Sequence, residues 1–395
     1  MNRITVPWIV ASVLLSAAHV HAAETAAAPV KVFLLVGQSN MEGKGCAKHL
    51  KYLLEDPDTD AEMKADLQRL IQDGEYVVRK DVWIWFLDKH GELTIGYGKG
   101  NDKHGPSIGP ELGFGHVVGD YFDEQVLLIK CAWGGKSLYR DFRPPSAGMP
   151  ADDVLQQELE KRKQKSPDAT MEEVKEAYGK YYRDTMAHTK EVLGNLKTYF
   201  PEYGGQGYEI AGMVWFQGWN DMGKLAEGNY YTPYLAHFIR DVRKELGAPD
   251  MPLVIGETGQ GGEIEDKSKG GGKLLLRNAQ AAVAEVPDLK GTVTFVKTSR
   301  FHDPRIAEIC AVYNQCKRAV YLERKRQAKE AGETDHRKIK LDEATIEKLW
   351  EPWAEVEPEW EKVGGDQGYH FFGSGKIFYQ MGNAFGEAMV ELQKE

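Results

Sequence analysis

The chain has 395 residues, 42% of them apolar, and carries 60 acidic side chains against 50 basic ones, for a formal charge of −10. That length suits one large α/β domain or two small ones. The negative balance argues against nucleic acid or an anionic membrane as partner, since both require a basic face, and fits a neutral or cationic substrate.

Residues 1–23 read as an export signal: Arg3 supplies the positive end, Val6 to Ala18 the apolar stretch, and Val20-His21-Ala22 a small-residue cleavage site. The apolar stretch is too short for a membrane anchor. Its removal would take Arg3 with it and leave a charge of about −11. Residues 24–395 show no internal repeat and no long low-complexity linker, so one domain with insertions is the simplest organisation. Four cysteines, Cys46, Cys131, Cys310 and Cys316, are an even number in an exported chain and permit one or two disulfides. Buried free thiols fit as well, and the pairing is not legible; Cys310 and Cys316, six apart, would lie on different faces of a helix.

The first predicted element is the apolar run Val32 to Val36, followed at once by Gly37-Gln38-Ser39-Asn40. Such a run suits a parallel strand covered on both faces, and ligands of parallel sheets bind at strand carboxyl ends. Tyr76 to Leu87 and Leu93 to Tyr97 flank Asp88-Lys89-His90-Gly91 as a hairpin. Gln125 to Ala132, Glu209 to Phe216, Leu253 to Gly256 and Thr292 to Val296 are further strands. Helical periodicity covers Glu172 to Leu196, Tyr230 to Leu246, Leu274 to Ala284 and Ser374 to Leu392. Strands alternating with helices predict a doubly wound parallel sheet. Two charged, helix-patterned stretches, 152–175 and 316–360, look inserted and are candidates for walls or lids. The second carries Trp350, Trp353 and Trp360, which could stack on sugar rings, although tryptophans so spaced usually pack an insertion down. The glycines between Gly259 and Gly272 predict a mobile run without the spacing of a phosphate loop.

Chemistry concentrates where strands end. Ser39 stands where a nucleophile would, but a hydroxyl is inert without a base to take its proton and N–H donors to receive the developing oxyanion. An ordinary turn or N-cap serine is the bland alternative. Gly134-Gly135, after the second parallel strand, offers close backbone approach and an amide donor beside that of Ser39. Gln217-Gly218-Trp219-Asn220-Asp221, after the third, offers a side-chain amide aimed at the same volume, or merely a helix cap. Among eleven histidines, His370 in Asp366-Gln367-Gly368-Tyr369-His370 is the favoured base and His302 the rival. No His-Glu-x-x-His and no closely spaced Cys/His cluster exists, so no metal and no cofactor are expected.

With these segments in view the chain resembles the SGNH hydrolase superfamily, and within it the sialate O-acetylesterase-like carbohydrate acetylesterases. The matching text is Val36-Gly37-Gln38-Ser39-Asn40-Met41, Ile108-Gly109-Pro110-Glu111-Leu112-Gly113-Phe114-Gly115, Ala132-Trp133-Gly134-Gly135-Lys136-Ser137, Trp215-Phe216-Gln217-Gly218, Gly368-Tyr369-His370 and the following Gly382 to Met389. These blocks keep the family's order across nearly the whole chain after the export signal.

The resemblance implies an α/β fold, a three-layer α/β/α sandwich with a flavodoxin-like parallel sheet and helical insertions. It assigns Ser39 as nucleophile, His370 as base and then acid, and the Ser39 and Gly135 amides with a side-chain amide as the oxyanion hole. Gln38, Trp219 and Lys136 are the substrate-contact candidates. The chain has Gln-Gly-Trp-Asn-Asp where this group usually has Gln-Gly-Glu-x-Asp, which leaves Gln217 and Asn220 both open as side-chain donor. The superfamily's acid usually precedes the histidine by three residues, whereas Asp366 precedes His370 by four, so Asp303 and Glu257 stay open beside Asp366. The implied reaction is hydrolysis of O-acetyl groups on a carbohydrate, with no nucleic acid, no membrane anchor and no oligomeric state specified. A noncatalytic carbohydrate-binding relative, or a lipase or thioesterase of the same superfamily, are the alternatives.

Overall fold

The computed structural model describes residues 28–100 and 105–394, so residues 1–23, where the sequence predicts an export signal, lie outside the described residues. Strand β1 (Val30–Gly37) is buried along almost its whole length. Its side chains alternate between two cores: Phe33 and Leu35 enter one, Val32, Leu34 and Val36 the other. A strand covered on both faces can be apolar at every position, which is why the run reads as continuous rather than alternating.

The other strands of the main sheet are β2 (Arg79–Phe86), β3 (Lys89–Leu93), β4 (Val126–Ala132), β5 (Tyr208–Phe216), β6 (Leu253–Gly256) and β7 (Val293–Val296). They lie in the order β7-β6-β5-β1-β4-β2-β3, with every neighbouring pair parallel except the β2–β3 hairpin at one edge. Without that hairpin, the order β4-β1-β5-β6-β7 is the 2-1-3-4-5 order of flavodoxin-like sheets. Gly37 pairs with Ala132 on one side and Phe216 on the other, so three strands end at one level.

Several boundaries differ from the sequence expectation. The hairpin turns at Leu87 and Asp88, and Lys89–Leu93 is its second strand, because Phe86 pairs with Lys89 and closes a two-residue loop. The helix expected over Glu172 to Leu196 is broken at Tyr178-Gly179. Gly179 sits at φ +69, where a Cβ would come within 2.6 Å of the Arg143 carbonyl. Main helix α4 (Lys180–Gly194) starts after that break.

The first insertion contains α3 (Asp152–Lys163) and a short helix, Met171–Ala177, which close a small core of Leu155, Leu159, Val174 and Tyr178 against Tyr139. The second is not bounded at Cys316. Helix α7 (Pro304–Glu330) begins at the Asp303 cap and runs through it, pairing with α8 (Glu343–Val363). Trp353 and Trp360 are buried there and Trp350 stands against Tyr313, so these rings pack the helices together. The glycine-rich run is fixed at its start, where Arg277 of helix α6 (Gly271–Val283), the next helix after α5 (Tyr231–Leu246), donates to the carbonyls of Thr258, Gln260 and Gly262. Cys131, Cys310 and Cys316 are buried free thiols, and Cys46 is buried as well. Among the described residues no helix is long and apolar enough to cross a membrane.

Beneath β1, helix α2 (Glu111–Tyr121) packs on the C-terminal helix α9 (Gly375–Lys394). A Cβ on Gly113 would stand 2.4 Å from the Tyr379 carbonyl, and one on Gly382 2.3 Å from that of Pro110. The glycines of both blocks therefore set the helix separation. Lys130 of β4, fully buried, donates to the carbonyls of Glu42 and Tyr97 and to Glu111 Oε2 at 2.7 Å. Burial pulls its pKa down while Glu111 opposes the shift. Removing one partner of such a pair strands the other charge, so Lys130→Met should cost about 3–5 kcal/mol in urea unfolding. The double variant with Glu111→Leu should recover most of that loss; a single variant as stable as wild type would show that the pair does not tie the sheet to α2.

Candidate active site

The strand ends decide the neighbourhood. Chain leaving β1 turns into the four-residue helix α1 (Ser39–Glu42), chain leaving β4 passes through Gly134 and Gly135, and chain leaving β5 passes through Gln217 to Asp221. Together with the segment before α9 they line one cleft of about 370 Å³ containing Ser39, Gly134, Gly135, Trp219, Asn220 and His370. Ser39 is only 9% exposed. A Cβ built on Gly134 would lie 3.6 Å from the Ser39 Cβ, which measures how closely the two turns approach. Gly135 holds φ +71, a conformation that favours glycine, and no acceptor among the described residues takes the N–H of Gly135 or of Ser39.

The amides around the serine are divided between framework and cleft. Gln38, only 4% exposed, accepts from the Gly218 N–H (3.1 Å) and from Gln217 Nε2 (3.3 Å), and donates to Asn220 Oδ1 (3.2 Å). This bond engages the Asn220 oxygen and leaves its Nδ2 without a protein acceptor among the described residues. Gln217 is buried instead, its Nε2 spent on the Lys136 carbonyl (2.8 Å) and Asp221 Oδ2 (2.7 Å). Of the two side-chain donors open in the sequence, only Asn220 lines the cleft; Gln217 is a strut. Lys136 also departs from expectation, since its ammonium lies over the Tyr181 ring, 4.5 Å from the centroid, and does not line the cleft. Gln38 does line it, while its amide groups serve the framework.

His370 belongs to a tight loop, Gly368–Gly373, closed by bonds from the Gly365 and Asp366 amides to the Phe372 carbonyl. Phe371 and Phe372 take φ of +47 and +60, unusual for bulky residues, and are held there by burial of their rings. The loop is tied to the serine turn because Asn40 Nδ2 donates to the Tyr369 carbonyl at 3.2 Å, with Gln260 Nε2 joining at 3.3 Å. His370 Nδ1 lies 2.9 Å from Asp366 Oδ2. Burial pushes the Asp366 carboxyl up, but the bonds from His370 and from the Gln367 N–H outweigh it and hold the group below the usual carboxylate range. The other two acids are committed elsewhere: Asp303 caps α7, and Glu257 accepts from the Ser299 N–H and faces Arg277 at 3.5 Å. His302 is packed behind the loop against Phe372, outside the cleft. No hydrogen bond joins Ser39 Oγ to His370; such contacts often tighten only with substrate bound.

Other contributors were not singled out from the sequence. Asp221 is fully buried and accepts from the Leu138 and Tyr139 amides, Gln217 and the Tyr230 hydroxyl, clamping the loop after β4 to the loop after β5. Burial raises its pKa against the pull of those bonds. Glu42 lines the cleft one turn beyond Ser39, paired with Lys44 at 2.9 Å. Tyr369 faces Trp219 with ring centroids 5.9 Å apart, an aromatic edge on the cleft. The position of Asp221 in the Gln-Gly-Trp-Asn-Asp block was the available signal for its role; nothing local marks Tyr369. Among the described residues no group of three or more His, Cys, Asp or Glu side chains is arranged to hold a metal.

Comparison with curated protein sequences returned no match. Among solved structures, a protein from Arabidopsis thaliana aligns at 14% identity and TM-score 0.45, covering 92% of this chain and 98% of that one. A carbohydrate acetylesterase from Xanthomonas citri aligns at 15% identity and TM-score 0.36, covering 67% of this chain and 49% of its own. NanS aligns at 14% identity and TM-score 0.36, covering 68% and 78%. These likenesses are too distant to carry a functional argument. Residues 29–299 match the family described as carbohydrate esterase, sialic acid-specific acetylesterase, a span that includes Ser39, Gly135 and Asn220 and ends before Asp366 and His370. The chain therefore belongs to the sialic acid-specific acetylesterase family of carbohydrate esterases.

Proposed function

We propose that this protein removes O-acetyl groups from carbohydrates by a two-step serine mechanism. His370 accepts the proton of Ser39 as its oxygen attacks the acetyl carbonyl. The Ser39 and Gly135 amides and Asn220 Nδ2 receive the charge on the tetrahedral intermediate, the sugar hydroxyl leaves with the proton, and water then releases acetate. Asp366 holds the imidazole with Nε2 free for the transfer. The observation that carries this reading is one cleft lined by a serine, an imidazole already paired with a carboxylate, and three N–H donors without acceptors among the described residues. Export through residues 1–23 belongs to the same proposal, since an exported esterase meets glycans.

The test is acetate release across a panel of acetylated glycans, together with p-nitrophenyl esters of increasing chain length. Acetyl esters should be turned over far faster than octanoyl esters, because the cleft is lined by Gln38, Ser39, Glu42, Lys44, Asn220 and His370 with no aliphatic side chain to hold a long acyl tail. A preference for octanoyl would favour a lipase or thioesterase, and no turnover of any ester would favour a noncatalytic carbohydrate-binding relative. Asn220→Ala should lower kcat by about a hundredfold, the usual cost of one oxyanion donor, with little change in KM. An unchanged kcat would remove Asn220 from the oxyanion hole.

A further inference from the structure

One charged pair in the cleft has no part in the chemistry proposed above. Glu42, the last residue of α1, is only 5% exposed, and both it and Lys44 line the cleft with Ser39 and His370. The carboxylate lies so close to the turn after β4 that a Cβ on Gly134 would meet its Oε2 at 3.1 Å, one residue before the oxyanion amide of Gly135. Oε2 takes the Lys44 ammonium at 2.9 Å. Oε1 has Lys99 at 3.8 Å, beyond hydrogen-bond reach, and accepts no hydrogen bond among the described residues. A negative group beside an oxyanion hole opposes the charge that develops there, a cost that Lys44 offsets and that an apolar side chain would avoid altogether. A carboxylate held in a cleft with one oxygen unfilled is an acceptor for a substrate donor. The acetyl group carries no O–H or N–H, so that donor lies on the alcohol side of the ester. In a sugar it is the hydroxyl next to the acetylated one.

We infer that Glu42 is a specificity-determining residue that accepts a hydrogen bond from a free hydroxyl adjacent to the scissile ester, with Lys44 holding the carboxylate in place. The inference rests on the esterase reading and adds to it the class of ester, the monoacetate of a vicinal diol. A fully acetylated sugar turns a second ester carbonyl toward Glu42, acceptor against acceptor, and is refused. The substrate must then be supplied by a prior deacetylation, or by an acetyl transfer selective for one hydroxyl.

trans-2-Hydroxycyclohexyl acetate and cyclohexyl acetate share ring and ester and differ in one hydroxyl. Wild type should turn over the hydroxylated ester with a kcat/KM at least about tenfold higher, since a site built to bond a hydroxyl rejects the analogue lacking it. The trans-1,2-diacetate should fall to within about threefold of cyclohexyl acetate. In the Glu42→Leu/Lys44→Met double variant, which strands neither partner of the pair, the preference should shrink to within about threefold. A merely structural role would lower both rates together and leave their ratio standing. Circular dichroism checks the fold, and Glu42→Gln, whose amide accepts more weakly, should give an intermediate ratio even if the double variant melts early. Equal wild-type rates for the two monoesters, a preference untouched by these substitutions, or turnover of p-nitrophenyl acetate without turnover of the hydroxylated ester would overturn the inference. Failure to turn over p-nitrophenyl acetate would instead sink the esterase reading. Saturation-transfer NMR of the Ser39→Ala protein with the same two monoesters reads the hydroxyl preference without turnover, and equal binding there would overturn the inference by itself.

Discussion

Ser39→Ala is expected to lower kcat for p-nitrophenyl acetate by about 10⁴-fold or more, because nothing else in the cleft can form the acyl intermediate. The residual rate would come from oxyanion donors acting on attack by water. The hydroxyl makes no hydrogen bond to another described residue, so its loss should not disturb the fold, and the variant should melt within a few degrees of wild type. That separation matters, because an inactive and unfolded variant would prove nothing. A folded Ser39→Ala protein that still releases acetate at the wild-type rate would take Ser39 out of the mechanism, and with it the esterase reading of this cleft.

Asp366→Asn should slow the same reaction by about 10²–10⁴-fold by analogy with serine proteases, where the wrong imidazole tautomer is the cause. The carboxylate accepts from Nδ1 and so leaves Nε2 as the base; an amide NH₂ at the same place favours the reverse. Asp303→Asn is the control, since asparagine caps a helix as well as aspartate does, and its rate should stay within about threefold of wild type. Equal effects of both substitutions would deny Asp366 its orienting role. The pair also contributes stability with a definite pH sign. The folded Asp366 carboxyl titrates below its ordinary value, so its contribution is complete above about pH 4 and is lost as pH falls through the lower folded value. The urea-unfolding advantage of wild type over Asp366→Asn should accordingly vanish in strong acid.

Much of the frame was legible because it depends on local pattern. The apolar run before Ser39, the strands ending at Ala132 and Phe216, and the periodicity of the final helix each follow from burial on a face or stripe that a linear sequence displays. Boundaries were less legible where a single contact overrides periodicity. Gly179 breaks a helix by taking φ +69 where a Cβ would meet the Arg143 carbonyl, and α7 runs through Cys316 because Asp303 and Pro304 start it earlier. Arg277 fixes a glycine-rich loop from 15 to 19 residues away, through bonds that composition cannot reveal.

The sequence by itself determined the strand-helix alternation, the residue types available for ester hydrolysis and the family to which their order belongs. Only the tertiary structure decided which amide faces the cleft and which acid meets His370. The physical reason is that a motif states which donors and acceptors exist, whereas their roles depend on which partners consume them. Gln217 and Asn220 stand three positions apart and are chemically alike, yet one is exhausted by Asp221 and the Lys136 carbonyl and the other keeps its N–H groups for the cleft.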